Sequence, residues 1–414
     1  MLCWRGKVRP YLAVLALVGV AMTATMSPNR AHANSAFDRF LQSLWPQAQK
    51  LGISRATFTA AIRGLTPDYS LPDLAIPGKP QKPAVQPEFV QTPAQYLRPS
   101  TFKRLTVEGR RLKAKYRGTL AAIEKRFGVP GDVVLAIWAR ETDYGRYPLQ
   151  HDAIRVLATQ AYVGKRKAFF REQFLDALKM LQDGIPRSDM RASWGGALGL
   201  TQFLPSDYFR YAVDFDHSGR ADIWHSVPDA LASAAKQLKA RGWQTGEPWA
   251  IEVHPPRNVN CTAAEPAVRY PVGDWIAHGY RPAYHRHVSA HVRTIKASLF
   301  LPEGTYGPAF LTPKNYYVLK DYNYSDLYVL FVGHLADLIG GGRPFETPWS
   351  KNKQLRSKDV EMMQRRLAAL GFYHDEIDGK AGMLTRAALG AYQKKNGLKV
   401  DCWPTAAVLA HMRR

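Results

Sequence analysis

Glu141 is the side chain in this sequence best placed to move protons. It follows Val134, Ile137 and Trp138 at helical spacing, so its carboxyl group lies at the end of an apolar stripe. Burial beside Ile and Trp disfavours a charged carboxylate, and we expect it to raise the pKa of Glu141. A carboxylic acid that stays protonated near neutral pH can act as a general acid on a leaving oxygen. The alternative is a glutamate at a helix end that turns to solvent or pairs with an arginine.

A glycine-rich stretch from Ser193 to Pro205 offers neutral hydrogen-bonding groups. Its glycines allow close approach of the backbone, while Ser193 and Gln202 supply a hydroxyl and an amide. This combination suits a surface that binds a polar, uncharged ligand such as a sugar. A tight turn that packs helices together is the alternative.

Aromatic and amide side chains are concentrated between Asn315 and Tyr328. Aromatic faces stack on sugar rings, and Asn and Tyr side chains can bond to the ring substituents. The stretch could therefore line a sugar-binding cleft. A junction in the core with ordinary tyrosines is the alternative.

The segment Asp214–Asp222 matches the first part of an EF-hand calcium loop. Its candidate ligands are Asp214, Asp216, Ser218, the backbone carbonyl of Arg220, and Asp222. The twelfth position holds His225 where an EF-hand has a bidentate Glu, so the full loop is not present. Asp229 could close a longer, weaker site.

Helical periodicity accounts for most of the chain that must position these groups. It runs over residues 34–66, 101–127, 155–181 and 228–242, and Pro130 with Asp132 begins the helix that carries Glu141. Eight prolines between Pro67 and Pro99 forbid long helices there. Residues 255–312 contain short apolar runs and many turn residues, and we assign no chemistry to them.

The first 33 residues have the pattern of a cleaved export signal. Basic residues at positions 5, 7 and 9 precede an apolar run from Tyr11 to Ala24, and Ala31-His-Ala33 provides a cleavage point. A run of about 14 residues is short for a membrane span, which needs about 20. We therefore expect a periplasmic, soluble mature chain with no stable membrane anchor.

The formal net charge of +23 favours anionic partners. For an exported chain the cell wall and the membrane surface are the nearest polyanions, so we expect no nucleic-acid partner. A solvated basic face is the alternative for any single cluster. Two cysteines, Cys261 and Cys402, follow the signal; they could form one bridge, which the sequence does not decide.

A segment rich in Gly and Pro, Gly340–Ser350, separates a small C-terminal module from the rest. Beyond it, apolar residues at 360, 363, 367 and 370 share one helical face, residues 384–395 form a second helix, and residues 401–405 open a third. We predict a signal peptide at 1–33, a catalytic domain at 34–345, a linker at 346–354 and a three-helix domain at 355–414.

Five stretches of the chain resemble the B family of lytic murein transglycosylases. They are Glu141-Thr-Asp-Tyr-Gly145, Ser193-Trp-Gly-Gly-Ala-Leu-Gly199, Gln202-Phe-Leu-Pro-Ser206, Tyr211-Ala-Val-Asp-Phe215 and Tyr322-Asn323. The resemblance covers residues 35–345 and implies a mainly α fold, of the α+β lysozyme-like kind. Residues 355–412 resemble the common peptidoglycan-binding module, through Leu367-Ala-Ala-Leu-Gly-Phe-Tyr373 and Ile377-Asp-Gly379. Met383 and Cys402 replace a proline and a glycine that are usual in that module.

The resemblance also implies roles for single residues. Glu141 would be the one catalytic acid and base. Residues matching the family's sugar-binding cleft are Ser193, Gln202, Tyr322, Asn323, Tyr328, Arg166 and Tyr96. The Asp214 loop coincides with a calcium site of the family, although this chain has one extra residue before Asp229. The resemblance thus implies no required cofactor, with calcium as a candidate structural ion.

The implied reaction is non-hydrolytic cleavage of the β-1,4 bond between N-acetylmuramic acid and N-acetylglucosamine, which leaves 1,6-anhydromuramic acid ends. Most glycosidases need two carboxylates, but Asp143 faces away from Glu141 on the helix. A lytic transglycosylase needs only one, because the C6 hydroxyl of the substrate attacks the anomeric carbon. The alternatives are a hydrolytic muramidase and a catalytically inactive cell-wall binding protein. The expected partners are peptidoglycan glycan strands and other cell-wall enzymes.

Overall fold

The computed structural model of this protein describes residues 28–76, 78, 91–352 and 355–413. The predicted export signal rests mainly on residues 1–27, which lie outside that part of the chain. Helices dominate the described residues, which confirms the predicted mainly α class. Within the same residues, none of the helices has both the length and the apolar character that a membrane crossing requires.

The helices follow the predicted ranges closely. They are α1 (Pro28–Ser43), α2 (Trp45–Lys50), α3 (Arg55–Ile62), α4 (Pro93–Tyr96), α5 (Pro99–Lys115), α6 (Arg117–Phe127), α7 (Gly131–Thr142), α8 (Ala153–Val163), α9 (Lys167–Gln182), α10 (Pro205–Tyr211), α11 (Val227–Ala240), α12 (Val272–Ala277), α13 (Ala290–Thr294), α14 (Lys314–Tyr322), α15 (Asp326–Ile339), α16 (Ser357–Ala369), α17 (Met383–Lys395) and α18 (Ala406–Met412).

Helix α7 is the central element of the catalytic part. Every residue from Val133 to Ala139 is buried, and the helix packs between α5 and α15. A second apolar cluster joins α1–α3 to α8 and α9, which lie along each other. Because α7 is apolar on all sides, it is held in place by burial rather than by one amphipathic face.

A five-stranded antiparallel sheet occupies the region to which the sequence pattern assigns no chemistry. The strands of the structure are β1 (His151–Asp152), β2 (Arg191–Ala192), β3 (Ile251–His254), β4 (Arg269–Pro271), β5 (Arg281–Pro282), β6 (Lys296–Phe300), β7 (Pro302–Thr305) and β8 (Ala309–Thr312). The sheet order is β4-β6-β8-β3-β5, and β1 pairs separately with β2. In β6 and β8, Leu299 pairs with Leu311, and Phe300 pairs with Phe310.

The central strands β6 and β8 of this sheet are buried on both faces. Leu299 and Leu311 point into one apolar cluster, whereas Phe300 and Phe310 belong to the core around α7. Neighbouring residues in a strand face opposite sides, so both kinds of position are apolar here. The strands therefore lack the alternation of polar and apolar residues that identifies a half-exposed strand in a sequence.

The C-terminal module is a three-helix unit, as predicted, and it is bound firmly to the catalytic part. Cys261 and Cys402 form a disulfide, which answers the question that the sequence leaves open. The backbone N–H of Thr305 donates to the carbonyl of Asp401 at 3.1 Å. Helix α17 also contributes Met383 to the core around α7.

The predicted linker lies against the sheet in the residues that the structure describes. Backbone N–H groups of Glu346 and Thr347 donate to the carboxylate of Glu252 at 2.9 and 2.8 Å. The N–H of Ser350 donates to Glu303 at 2.7 Å. Three backbone donors are thus satisfied by carboxylates, so these residues form a docked strap.

Candidate active site

Glu141 lies in the last turn of α7, where a tight turn ends the helix. Asp143 and Tyr144 have φ values of 50° and 58°, and Gly145 has a φ of 81°. Left-handed backbone is costly for residues that carry a Cβ, and such strain is often found at functional sites. The turn is stabilised by Tyr144, whose hydroxyl donates to the carbonyl of Leu105 at 2.9 Å.

The carboxyl group of Glu141 is held by Tyr328. The Tyr328 hydroxyl donates to Oε1 of Glu141 at 2.5 Å, and the tyrosine is only 1% exposed. Ser325 caps α15 by accepting from the N–H groups of Leu327 and Tyr328, which places Tyr328 in the first turn. Burial, and then the negative charge of Glu141, hold the pKa of Tyr328 well above 10. The phenol therefore stays protonated and donates to the carboxylate.

Tyr322 packs against Tyr328, the tyrosine that contacts Glu141. Its ring stacks parallel to that of Tyr328, with centroids 6.3 Å apart. Its hydroxyl donates to the carbonyl of Thr201 at 2.7 Å. Burial, and then the charge of Glu141, raise the pKa of Tyr322 well above 10. A second neutral phenol thus lies within electrostatic reach of the carboxylate.

The glycine-rich stretch is brought to the end of α7. The hydroxyl of Thr142 donates to the carbonyl of Leu200 at 2.7 Å, beside Glu141 in the chain. Gln202 has a φ of 57° and donates through Nε2 to the carbonyl of Gly199 at 3.0 Å. A Cβ at Gly199 would lie 2.6 Å from the carbonyl oxygen of Ile223, so the turn is also tightly packed. The stretch therefore forms a tightly packed turn beside the end of α7, while its role in lining a sugar-binding site stays a prediction.

The other predicted cleft residues make contacts with their own neighbours. Tyr96 accepts from Nε of Arg140 at 2.7 Å, next to Glu141 in the chain. The amide oxygen of Asn323 accepts from the N–H of Ser325 at 3.2 Å, and Ser193 Oγ accepts from the N–H of Ala197 at 3.2 Å. The guanidinium of Arg166 lies 4.9 Å from the ring centroid of Phe169, at the start of α9. The charge of Glu141 thus acts on Tyr322 and Tyr328. The contacts described for Tyr96, Ser193, Asn323 and Arg166 are with other residues.

The carboxyl groups of Asp143 and Asp207 lie in different surroundings from that of Glu141. Nη1 of Arg104 donates to Asp143 at 2.8 Å, so this carboxylate is paired away from the site. Asp207 is a residue that the sequence pattern does not single out. Burial raises the pKa of Asp207 and the nearby Arg241 lowers it, while its charge raises the pKa of Tyr322. It is therefore the second carboxyl group to test.

The predicted metal loop brings together a different set of carboxylates from the EF-hand pattern. Carboxylate oxygens of Asp214, Asp216 and Asp229 lie within 4.8 Å of one another. Asp222 is turned away, because its Oδ1 accepts from the N–H groups of Trp224 and His225.

Two other positions of the predicted loop take part in its backbone structure. The hydroxyl of Ser218 donates to the carbonyl of Arg220 at 3.3 Å. Asp229 is fully buried and accepts from the N–H of Phe215 at 2.8 Å and of Asp222 at 2.8 Å. Two carboxylates of the loop and one in the first turn of α11 match the hard oxygen ligands that Ca²⁺ prefers.

Comparison with known proteins places this geometry in a family. Residues 36–337 match the transglycosylase SLT domain, and residues 356–412 match a peptidoglycan binding domain. The chain therefore belongs to the SLT transglycosylase family, whose lytic transglycosylases are enzymes that act on peptidoglycan. Its catalytic part has the lysozyme-like fold of that family.

Individual relatives agree with this assignment. SltB3 from Pseudomonas aeruginosa, solved in complex with NAG-NAM-pentapeptide, is 38% identical, with a TM-score of 0.82 over 91% of this chain and 99% of its own. SltB3 was also solved with NAG-anhNAM-pentapeptide. The lytic transglycosylase SLT35 from Escherichia coli, solved in complex with calcium, is 25% identical, with a TM-score of 0.51 over 60% of this chain and 77% of its own.

A curated relative matches over a shorter length. Membrane-bound lytic murein transglycosylase B from Escherichia coli K12 is 28% identical over 233 residues. The match spans 55% of this chain and 62% of that relative. The homologues support peptidoglycan cleavage by transglycosylation as the activity of this protein.

Proposed function

We propose that this chain cleaves the β-1,4 bond between N-acetylmuramic acid and N-acetylglucosamine with Glu141 as its one acid and base. The observation that carries the proposal is the hydrogen bond from Tyr328 to Glu141, which fixes one carboxyl group at the end of a buried helix. The carboxylate of Asp143, two residues further along the chain, is paired with Arg104. A single acid suffices when the substrate supplies its own nucleophile.

The reaction proceeds in two proton transfers. Protonated Glu141 gives its proton to the glycosidic oxygen as the bond from that oxygen to C1 of N-acetylmuramic acid breaks. The resulting carboxylate takes the proton of the C6 hydroxyl while O6 bonds to C1. Glu141 ends as it began, no water is consumed, and the new chain end is a 1,6-anhydro sugar. The solved complex of SltB3 with NAG-anhNAM-pentapeptide supports this product class.

Neutral donors around Glu141 suit a polar, uncharged glycan. We assign Gln202, Ser193 and Asn323 to hydrogen bonds with the sugar substituents and Tyr322 to the wall of the cleft. Tyr328 orients the acid, and Tyr96 orients Arg140 beside it. Arg166 lies at the start of α9, where its charge could reach an acidic group on the peptide stem.

Asp214, Asp216 and Asp229 would hold the structural calcium ion. Bound there, the ion would supply charge compensation for three clustered carboxylates and would brace the loop before α11. No step of the reaction passes through it. The complex of the relative SLT35 with calcium supports the assignment.

The C-terminal module and the basic charge indicate where the enzyme works. The match of residues 356–412 to a peptidoglycan binding domain supports a role in holding the wall polymer, and linked binding surfaces raise effective concentration. The signal pattern and the substrate support action in the periplasm. Other cell-wall enzymes remain proposed partners, with no role for nucleic acid.

Digestion of purified sacculi followed by mass spectrometry tests the reaction. Wild-type protein should release anhydro ends, which are lighter than hydrolytic ends by one water. Glu141→Gln keeps the side-chain volume but removes the ionisable proton, so kcat should fall by at least about 10²–10⁴-fold. Asp143→Asn and Asp207→Asn are the matched controls and should lose far less activity.

Two other results would identify the alternative functions. Reducing ends, with comparable losses in Glu141→Gln and in one of the aspartate variants, would indicate a two-carboxylate hydrolase. Binding of sacculi without turnover by the wild-type chain would indicate an inactive wall-binding protein.

A further inference from the structure

One charged side chain of the C-terminal module is buried inside the catalytic part. Arg386 lies on α17 and is only 7% exposed. Its Nη2 lies 3.6 Å from Oδ2 of Asp326, and its guanidinium lies 5.5 Å from the ring centroid of Phe300. Its Nη1 donates to the carbonyl of Ala381. A buried charge is costly unless it is paired, so this arginine is bound to its place by Asp326.

Asp326 connects the two helices that form the active-site corner. We use this name for residues 322–328, the end of α14 and the start of α15. Asp326 accepts from the hydroxyl of Tyr316 at 2.8 Å and from Nζ of Lys320 at 2.5 Å, both on α14. Its own backbone opens α15, two residues before Tyr328. The position of Tyr328 against Glu141 therefore depends on the same turn that Asp326 holds.

Two cations contact one largely buried carboxylate in this cluster. Lys320 donates to Oδ1 of Asp326, and Nη2 of Arg386 lies beside Oδ2 of the same carboxylate. Loss of Arg386 removes one of the two positive charges that stabilise Asp326. Buried ion pairs are seldom the most stabilising solution, because apolar residues of similar size often do as well. A charged rather than an apolar contact between the module and the active-site corner therefore indicates a requirement for geometry rather than for stability alone.

We propose that Arg386 of the peptidoglycan-binding module is a positioning residue of the active site, which acts through Asp326 and the active-site corner on the contact between Tyr328 and Glu141. The module then has two roles, binding of the wall polymer and support of the catalytic geometry. The disulfide between Cys261 and Cys402 holds the module where Arg386 can reach. This inference rests on the proposed function of Glu141.

Kinetics on a soluble glycan fragment of peptidoglycan separate the two roles, because such a substrate does not need anchoring to a sacculus. The full chain carrying Arg386→Met should show a kcat about tenfold lower with KM changed less than about twofold. Arg386→Lys keeps the charge and should recover part of the loss. Arg365→Gln is the matched control, since Arg365 is an exposed arginine of the same module that pairs with Glu361. It should leave kcat unchanged.

A double-mutant cycle identifies the route of the effect. In a Tyr328→Phe background, Arg386→Met should cause no further loss of kcat, because the contact on which it acts is already missing. Losses that multiply, or a wild-type kcat in Arg386→Met, would overturn the inference. If Arg386→Met does not fold, the same cycle is run with Arg386→Lys, and a loss of kcat in Arg386→Lys that multiplies with the loss in Tyr328→Phe would overturn the inference equally.

The failure of this inference can be told from the failure of the proposed function. Wild-type protein that forms anhydro ends, with Arg386 variants that match it, would refute only the positioning role. Wild-type protein that forms no anhydro ends, or a fully active Glu141→Gln, would refute the proposed function itself.

Discussion

Replacement of Tyr328 by Phe would test how the structure tunes Glu141. The change removes one hydroxyl and keeps the ring that stacks on Tyr322. The lost contact joins the phenol to Oε1 of Glu141 at 2.5 Å, a distance typical of a hydrogen bond to an ionised carboxylate. Such a bond is worth about 1.5–3 kcal/mol, and it stabilises the charged form of the acid.

The expected effect is a shift of the pH dependence of kcat/KM. Without the donated hydrogen bond the ionised carboxylate is less stable, so Glu141 should hold its proton to higher pH. One pKa unit corresponds to about 1.36 kcal/mol, so the alkaline limb of the profile should move upward by about one to two pH units. Loss of the contact should also lower kcat by at least about tenfold, the loss expected for Arg386→Met, which acts through the same contact.

The assay is kcat/KM for anhydro product formation measured from pH 4 to pH 9 on a soluble glycan fragment. Tyr322→Phe is the matched control, because the Tyr322 hydroxyl donates to the carbonyl of Thr201 and not to Glu141. Its kcat/KM can change through substrate contacts, but its alkaline limb should stay in place. An alkaline limb that stays in place in Tyr328→Phe, or that moves to lower pH, would refute this account of the acid.

Three further predictions concern stability and processing. Burial lowers the pKa of His334 from 6.5 to about 4, so as the pH falls the unfolded chain takes up a proton at this position before the folded chain does. The wild-type free energy of unfolding should therefore fall between pH 7 and pH 5, and in His334→Leu it should fall by about 2 kcal/mol less. Urea titrations at the two pH values measure this difference, and equal pH dependence of the two proteins would contradict it. Calcium at tenfold excess over Kd should add about 1.4 kcal/mol to the free energy of unfolding and raise the melting temperature. Asp216→Asn should abolish this rise, whereas the control Asp222→Asn should keep it. A wild-type melting temperature that does not change with calcium would mean that the loop is only a structural turn. Mass analysis of exported protein should find a mature chain that begins at Asn34, and a chain that retains Met1 would count against the signal pattern.

The helices, and the position of Glu141 at the end of one of them, could be predicted from the sequence because their signals are local. Helical spacing places Glu141 after Val134, Ile137 and Trp138, and the structure buries these three apolar residues in α7 as the spacing requires. The pattern of the C-terminal residues likewise predicts three helices, which the structure contains as α16–α18. The expected pKa of Glu141 remains a prediction.

The sheet and the docked strap could not be predicted in the same way. Leu299 and Phe300 are both apolar because β6 is covered on both faces, so no alternation marks this strand. The Gly and Pro content of residues 340–350 predicts a linker, yet the backbone N–H of Ser350 donates to the carboxylate of Glu303 on β7. Satisfaction of backbone donors by distant side chains depends on the tertiary fold and leaves no local pattern.

The partners of the site residues were decided only by the tertiary structure. Tyr328 is 187 residues from Glu141 in the chain, and its hydrogen bond to that acid exists because α15 packs along α7. Asp229 replaces Asp222 in the carboxylate cluster because the loop turns Asp222 onto its own backbone. Spacing along the chain determines which side chains share a helix face, whereas packing between elements determines which side chain from elsewhere reaches them.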